Sequence, residues 1–333
     1  MISPADHALF RDLCASGRRF ILSTHINPDG DALGSQMSLA AFLIAQGKQV
    51  RVVNNDATTD VLGFLEREEV RAEVYDPELH DELLSSVDAV ILVDNSAPDR
   101  LGRMEEVMLS VAENTFCIDH HPSRNAPWAK QILDEDACAT TILIDELTRE
   151  FGWTPDLQAA TALYVGLATD TGFFRFNSTN ARGHELAAKL LKLGVESAPI
   201  YRKIYERNSL ALTRLLGRAL ADVSTHADGA VASVRIPLEL VDELDARDVD
   251  TSEITTALLV MDGIRIALLF RELDGGQVKV SLRSKGEMNV HLLASEFGGG
   301  GHRNASGIVM PGEIDDVIAI VTQRALALVA SSS

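Results

Sequence analysis

The sequence predicts an α/β protein of two domains: an N-terminal one with a mostly parallel sheet flanked by helices, and a smaller C-terminal α/β one. Three observations carry this. Through the first half, strand-like runs alternate with helical stretches of about 10–15 residues, the pattern of βαβ units. Val87–Val93 (VDAVILV) is a nearly continuous apolar run, as in a strand buried on both faces. The chain has 333 residues, long for a single hydrophobic core.

Arg19–Ser23 (RFILS) is the first strand, broken at Asn27-Pro28-Asp29-Gly30-Asp31. A helix follows over Ala32–Gln46, and Gly47 stops it. Gln49–Val53, Val87–Val93 and Thr115–Ile118 are the next strands. From Ala139 the pattern turns helical: Leu143, Leu147 and Phe151 share one face before Gly152. Leu157–Ala168 and Ala181–Leu193 are two further helices, with a break from Leu193 through Pro199. Ile200–Ala221 reads as one long helical connector. Beyond Gly229 the strands Val231–Ile236, Ile264–Phe270 and Gln277–Leu282 alternate with helices near Thr251–Met261 and Val290–Glu296. The expected division is 1–195, a helical linker 196–221, and 222–333.

Asp and Glu number 49 against 30 Lys and Arg, a formal charge of −19. Such a surface is ill suited to gripping long duplex DNA, which needs a basic face. An anionic substrate would need a local device, either metal ions or a small basic pocket. Cys14, Cys117 and Cys138 show no CxxC spacing and read as reduced thiols. No signal peptide and no apolar run of membrane-spanning length is evident, so a cytoplasmic location away from membranes is expected.

Four places put hard metal ligands at or near the end of an expected element. They are His25, Asp29 and Asp31 after the first strand, Asp94 after VDAVILV, Asp119-His120-His121 after TFCI, and Asp170 after a helix. Taken singly, each has a plain structural reading: a solvated turn, a helix cap or a capped turn. Taken together, three of the clusters occupy strand-end loops, which in an open parallel sheet line one crevice. The pool of carboxylates and imidazoles exceeds what one ion uses. It suits two ions about 3.5–4 Å apart sharing a carboxylate. Oxygen-rich donors with some imidazole favour Mn²⁺ over a cysteine-bearing zinc site.

The densest motif is Phe297–Gly307 (FGGGGHRNASG). Consecutive glycines let backbone N–H groups approach a phosphate, and His302 and Arg303 add donors. Arg283 ends a nearby expected strand. The competing reading is a flexible loop. Neither a P-loop nor a dinucleotide fingerprint is present. Trp128 and Trp153 read as packing residues, and His7, His80, His184, His226 and His291 as surface or core histidines.

Together, HINPDGDALGS, VDNS, IDHHPS, ATDTGFFRF and GGGGHRNASG resemble the DHH/DHHA1 phosphoesterases, most closely the NrnA-type branch of oligoribonucleases and pAp phosphatases, over nearly the whole chain. The resemblance implies a DHH domain, a linker, and a DHHA1 domain closing over an active-site cleft. It implies two Mn²⁺, with Mg²⁺ or Co²⁺ as substitutes. His25, Asp29 and Asp94 resemble the ligands of one ion; Asp31, Asp94, His120 and Asp170 resemble those of the other, with Asp94 bridging. Asp119 then orients the histidines, and His121 stands by the scissile phosphate as proton donor. Arg283, Gly300, Gly301 and His302 resemble substrate contacts; Arg303 stands where many relatives carry Lys. The implied reaction is in-line attack on phosphorus by a hydroxide bridging the ions, on short oligoribonucleotides, linear dinucleotides or pAp.

Three rivals share or border this reading. A pyrophosphatase or exopolyphosphatase on the same core is one, and GGGGH argues against the pyrophosphatase branch. A RecJ-like exonuclease for long single strands would need a basic channel that is not evident. A catalytically silent nucleotide-binding regulator would have no need of both ligand sets. The oligomeric state stays open, a homodimer included.

Overall fold

The computed structural model describes residues 2–122 and 126–331, apart from the side chain of His302. Ser123, in the IDHHPS motif, lies outside the described residues. The chain forms two compact units, Met1–Glu206 and Arg207–Ser333. The α/β class predicted from the sequence holds for both.

The first unit begins with α1 (Pro4–Ser16), capped by a reciprocal Ser3–Asp6 box. Then follow β1 (Arg19–Ser23), α2 (Gly30–Ala45), β2 (Gln49–Asn54), β3 (Ala72–Val74), α3 (Pro77–Ser86), β4 (Ala89–Val93), α4 (Glu105–Ser110), β5 (Thr115–Asp119) and β6 (Lys130–Leu133). Helices α5 (Thr140–Arg149), α6 (Leu157–Asp170), α7 (Ala181–Lys192) and α8 (Ser197–Tyr205) complete it. The strands pair in the order β3-β2-β1-β4-β5-β6, all parallel. Ala89, Ile91 and Val93 of β4 enter one core with α1, α2, α5 and α6, while Val90 and Leu92 enter a second core on the opposite face with Met104, Met108 and Trp128. Double-sided burial is why VDAVILV shows no polar alternation. The chain runs outward from β1 to β3 and then returns to place β4 on the other side of β1. This reversal opens a crevice at the carboxyl ends of β1 and β4.

Helix α2 is buried from Gly30 through Leu43 and packs along α6. The approach is close because both helices present glycine. A Cβ on Gly34 would stand 2.4 Å from the Ala162 carbonyl oxygen, and one on Gly166 would stand 2.8 Å from Asp31 Oδ1. The helix starts at Gly30, two residues earlier than the sequence suggests, because Asp29 caps it by accepting from the Asp31 and Ala32 N–H groups. Asp31 therefore sits in the first helical turn instead of a loop.

The expected single connector is two helices, α8 and α9 (Leu210–Ala221), with Pro199 tolerated in the first turn of α8. Ser209 restarts the chain by accepting from Leu212 N–H at 3.0 Å. The second unit continues with β7 (Ser224–His226), β8 (Val231–Ile236), α10 (Leu238–Glu243), α11 (Ser252–Val260), β9 (Ile266–Leu273) and β10 (Gln277–Ser284). It ends with α12 (Val290–Ser295), β11 (Gly300–His302), β12 (Ala305–Pro311) and α13 (Ile314–Ala330). Its sheet runs β11-β12-β10-β9-β8-β7, antiparallel except between β8 and β9. Ile266, Leu268 and Phe270 face the α12 and α13 side; Ala267 and Leu269 face α9 and α11. No helix among the described residues is long and apolar enough to cross a membrane.

The glycine contact between α2 and α6 gives a first test. Gly34→Ala should destabilise the first unit by about 1–3 kcal/mol, the usual cost of overpacking a tight core. Chemical denaturation would measure it, and an unchanged midpoint would show that the helices can separate freely.

Candidate metal centre

The crevice at the ends of β1 and β4 collects the acidic and imidazole side chains of the first unit. Thr24 Oγ1 donates to the Val93 carbonyl at 2.8 Å, tying the two strand ends together just before His25 and Asp94. Asp94 lies in the left-handed region (φ 57°), a strained conformation that Asp tolerates better than most residues. Asp119 is the last residue of β5, and Asp170 the last of α6.

The Asp94 carboxylate divides between two groups. Its Oδ2 lies 3.5 Å from His25 Nε2, which is itself 3.8 Å from Asp29 Oδ2. Its Oδ1 lies 3.6 Å from His120 Nε2, which is 3.9 Å from Asp31 Oδ2 and 3.4 Å from Asp170 Oδ2. These spacings exceed hydrogen bonds but suit donors that surround a shared cation. Potential ligand atoms of His25, Asp29 and Asp94, and likewise of Asp31, His120 and Asp170, lie within 4.8 Å of one another in each group.

The imidazoles test whether this donor set fits a cation. His25 Nδ1 pairs with the Ile26 carbonyl at 2.7 Å and His120 Nδ1 with the Ala137 carbonyl at 3.0 Å, which makes each Nδ1 the protonated nitrogen. Each Nε2 then carries a lone pair, is buried, and has no hydrogen-bond partner among the described residues. Histidine metal ligands are oriented in just this way, by a carbonyl behind the ring. Buried carboxylates on the far side of those lone pairs complete a donor set that fits divalent cations.

Sequence reasoning missed the backing of this cluster. Asp31 Oδ2 and Oδ1 accept from the N–H groups of Thr140 (2.5 Å) and Thr141 (3.0 Å). These are the first two residues of α5, whose own N-cap position, Ala139, offers no side-chain acceptor. Asp31 thus caps a helix more than a hundred residues downstream, and the positive end of that helix faces the carboxylate. Thr140 Oγ1 also donates to Asp94 Oδ1 at 2.8 Å. No local pattern marks Thr140, because its role depends on a long-range contact.

In the second unit, Arg283 is the penultimate residue of β10 and pairs with Ala305, as does the backbone of His302. The Arg283 guanidinium makes no hydrogen bond or ion pair among the described residues. The His302 side chain lies outside the described structure. Part of the glycine run has a steric reason. A Cβ on Gly299 would stand 2.3 Å from the Gly307 oxygen, and one on Gly301 2.5 Å from the Ala305 oxygen, whereas a Cβ on Gly300 would meet open space. The run is thus not a loose phosphate-binding loop alone: it ends in a strand paired with β12. Arg303 Nη2 is engaged by the carbonyl and carboxylate of Glu287.

Comparison with known proteins places this geometry. Residues 19–167 match the family model described as "DHH family, N-terminal domain", and residues 228–327 match the DHHA1 domain. The chain is 30% identical to the bifunctional oligoribonuclease and PAP phosphatase NrnA of Thermus thermophilus, covering 87% of this chain and 84% of that one. The chain belongs to the DHH phosphoesterase family. It is a hydrolase of phosphoester bonds. The namesake from Bacillus subtilis is also 30% identical, over 86% of this chain and 88% of that protein. A crystal structure of an exopolyphosphatase-related protein from Bacteroides fragilis superimposes with a TM-score of 0.87 at 29% identity, covering 98% of this chain and 97% of that one. DHH proteins depend on divalent metals, which agrees with the Asp and His groups of the crevice.

In this DHH site, electrostatics separates His121 from His25. Burial lowers the His25 pKa, keeping the ring neutral as a ligand needs. His121 goes the other way: its hydrogen bond to Asp119 (Nδ1 to Oδ1, 2.8 Å) raises its pKa. Burial raises the pKa of Asp119, but its two bonds from His121 outweigh this and hold the carboxyl below the usual range. Burial, followed by Asp31 and Asp29, pushes Asp94 well above the carboxylate range. Burial, followed by Asp31, pushes Asp170 up to about 7.

Two outcomes are expected. Thr140→Val removes the hydroxyl donor at nearly constant volume. It should weaken Mn²⁺ binding by about tenfold or more on calorimetry while the fold is kept, and unchanged affinity would remove Thr140 from the centre. Asp170 has a raised pKa in the folded state, so between about pH 4 and its folded value the metal-free fold binds more protons than the unfolded chain. Stability of the metal-free protein should therefore fall as pH rises toward 7. Asp170→Asn should flatten that slope, and added Mn²⁺ should offset it. A metal-free melting temperature that rises across this window in both proteins would contradict the reading.

Proposed function

We propose that this protein is a Mn²⁺-dependent phosphodiesterase and phosphatase using two ions, which hydrolyses short oligoribonucleotides and linear dinucleotides to mononucleotides and pAp to AMP. The observation that carries it is the split Asp94 carboxylate, one oxygen toward each buried, unpartnered imidazole nitrogen. The substrate class rests on the names of the relatives that span most of the chain.

His25, Asp29 and Asp94 would hold one ion, and Asp31, Asp94, His120 and Asp170 the other. Oxygen donors with two imidazoles and no thiolate favour Mn²⁺, with Mg²⁺ or Co²⁺ as substitutes. When bound, the ions supply Lewis acidity toward water and phosphoryl oxygens. The chain's own residues do the rest. Thr140 and the α5 N-terminus fix Asp94 and Asp31, so no carboxylate must reorient as charge develops. His121 keeps Nδ1–H on Asp119, which leaves Nε2 to deliver a proton to the departing oxygen. Its raised pKa increases the imidazolium fraction near neutral pH.

Residues 1–195 would carry the chemistry, 196–221 the link, and 222–333 the grip on the substrate's far end. Arg283, unpaired among the described residues, is the principal cation for that grip. The open backbone at Gly300, together with Gly301, His302 and Arg303, would line the same hairpin. A reader of one terminus fits an acidic protein that gains little from long polyanions.

The test uses purified protein with Mn²⁺, 5′-labelled RNA dimers, an RNA of several tens of nucleotides, and pAp. Asp94→Asn is the control, because Asn tolerates the left-handed backbone at that position. Dimers should be cleaved much faster than the long RNA, pAp should release phosphate, and the variant should lose about a hundredfold or more of the rate. Turnover of pyrophosphate or polyphosphate alone would move the substrate class to small phosphates. Long RNA cleaved as fast as dimers would overturn the length preference.

A further inference from the structure

Beside the carboxylate cluster lies a cavity of about 490 Å³, walled by Asn95, Ser96, Arg100, Asp119, His121 and Pro122. It adjoins the centre through His121, whose Nδ1 is 3.7 Å from Asp94 Oδ1. Its wall is held firmly. Trp128 Nε1–H donates to the Ser96 carbonyl at 2.9 Å, and the Cys117 thiol donates to the Asn95 carbonyl at 3.4 Å. The Arg100 carbonyl accepts from Ile26 N–H at 2.8 Å.

Two donors in this wall have nothing to donate to among the described residues. Asn95 is 1% exposed, and its Oδ1 accepts from Ala97 N–H at 3.1 Å, which fixes the amide plane. The other end, Nδ2, is buried without a hydrogen-bond partner among the described residues. Buried amide donors are nearly always satisfied, so an unsatisfied one in a cavity wall marks a place for an acceptor. Arg100 is half-buried, and its guanidinium forms no hydrogen bond or ion pair among the described residues. Asp99 and Glu105 also border the cavity, but both are exposed to water and neither pairs with Arg100.

We infer that this cavity is a subsite for a second phosphate group of the substrate, gripped by Arg100 and the Asn95 amide while the reacting phosphate meets the carboxylate cluster. A planar guanidinium matches phosphate oxygens two at a time, and the amide supplies a further N–H. In a protein of net charge −19, an anion must be met by a local cation, and Arg100 is one placed beside the centre. The inference rests on the phosphoesterase reading and narrows it: the preferred substrates carry two phosphates, as nucleoside bisphosphates and 5′-phosphorylated dinucleotides do.

The test compares the native protein with Arg100→Met and Arg100→Lys, loaded with Mn²⁺. Two substrates are used: adenosine 3′,5′-bisphosphate, and the 4-nitrophenyl ester of thymidine 5′-monophosphate, which has one phosphate. The ratio of kcat/KM values, bisphosphate over nitrophenyl ester, should fall at least about tenfold in Arg100→Met, the scale of one charge-assisted hydrogen bond, mainly through KM. Arg100→Lys should recover part of it. Calorimetric binding of the bisphosphate should weaken by a similar factor. An unchanged ratio with unchanged binding overturns the subsite, as does an equal loss on both substrates. If the native protein hydrolyses neither compound, the proposed function falls; the binding comparison then still decides the subsite.

Discussion

Mutual repulsion among buried carboxylates governs the architecture of the first unit. Asp31 and Asp94 are almost wholly removed from water, and Asp170 stands close by. Ionised together in a low-dielectric crevice, they would be strongly unfavourable without opposite charge. The fold meets this in layers. Backbone N–H groups at the start of α5 and the Thr140 hydroxyl take part of the charge. The lone pairs of His25 and His120 point toward the remainder, a geometry that a cation would complete. Even the glycine contact between α2 and α6 belongs to this arrangement, since Gly166 leaves the space that the Asp31 carboxylate fills.

Three histidines in one crevice behave differently because of what stands behind each ring. A carbonyl behind Nδ1 turns the Nε2 of His25 and of His120 toward the carboxylates on the inner side. A buried carboxylate behind His121 raises its pKa, which suits the proton-donor role proposed for it. Chemistry in this site is thus assigned by hydrogen bonds one step removed from the substrate.

Much of this was legible in the sequence. Continuous apolar runs mark doubly buried strands, and in a parallel sheet the polar residues that end those strands must converge. Local signals stopped short where tertiary contacts took over. Asp31 read as a loop residue because the capping power of Asp29 extends α2 by two residues. The connector read as one helix because an N-cap serine inside a helical pattern is a weak signal. Thr140, Asn95 and Arg100 carry no spacing that singles them out, since what matters about each is a partner it gains, or lacks, only in the folded state. The glycine run read as a ligand-binding loop; two of its glycines answer instead to the backbone of β12.

The long-range cap on α5 also has a bearing on how the chain matures as it is synthesised. His25 through His121 leave the ribosome well before α5 and α6 exist. At that stage Asp31 has no helix end to hold, and Asp94 lacks Thr140. The proposed ligand set closes only when α6, which ends at Asp170, has docked against α2. High sequence separation makes this a late event in folding. A nascent chain therefore passes through tens of residues of growth as an acidic polypeptide without a formed ion trap. On the proposed reading, metal acquisition would be a property of the finished first unit, a built-in proofreading of completeness before the centre is loaded.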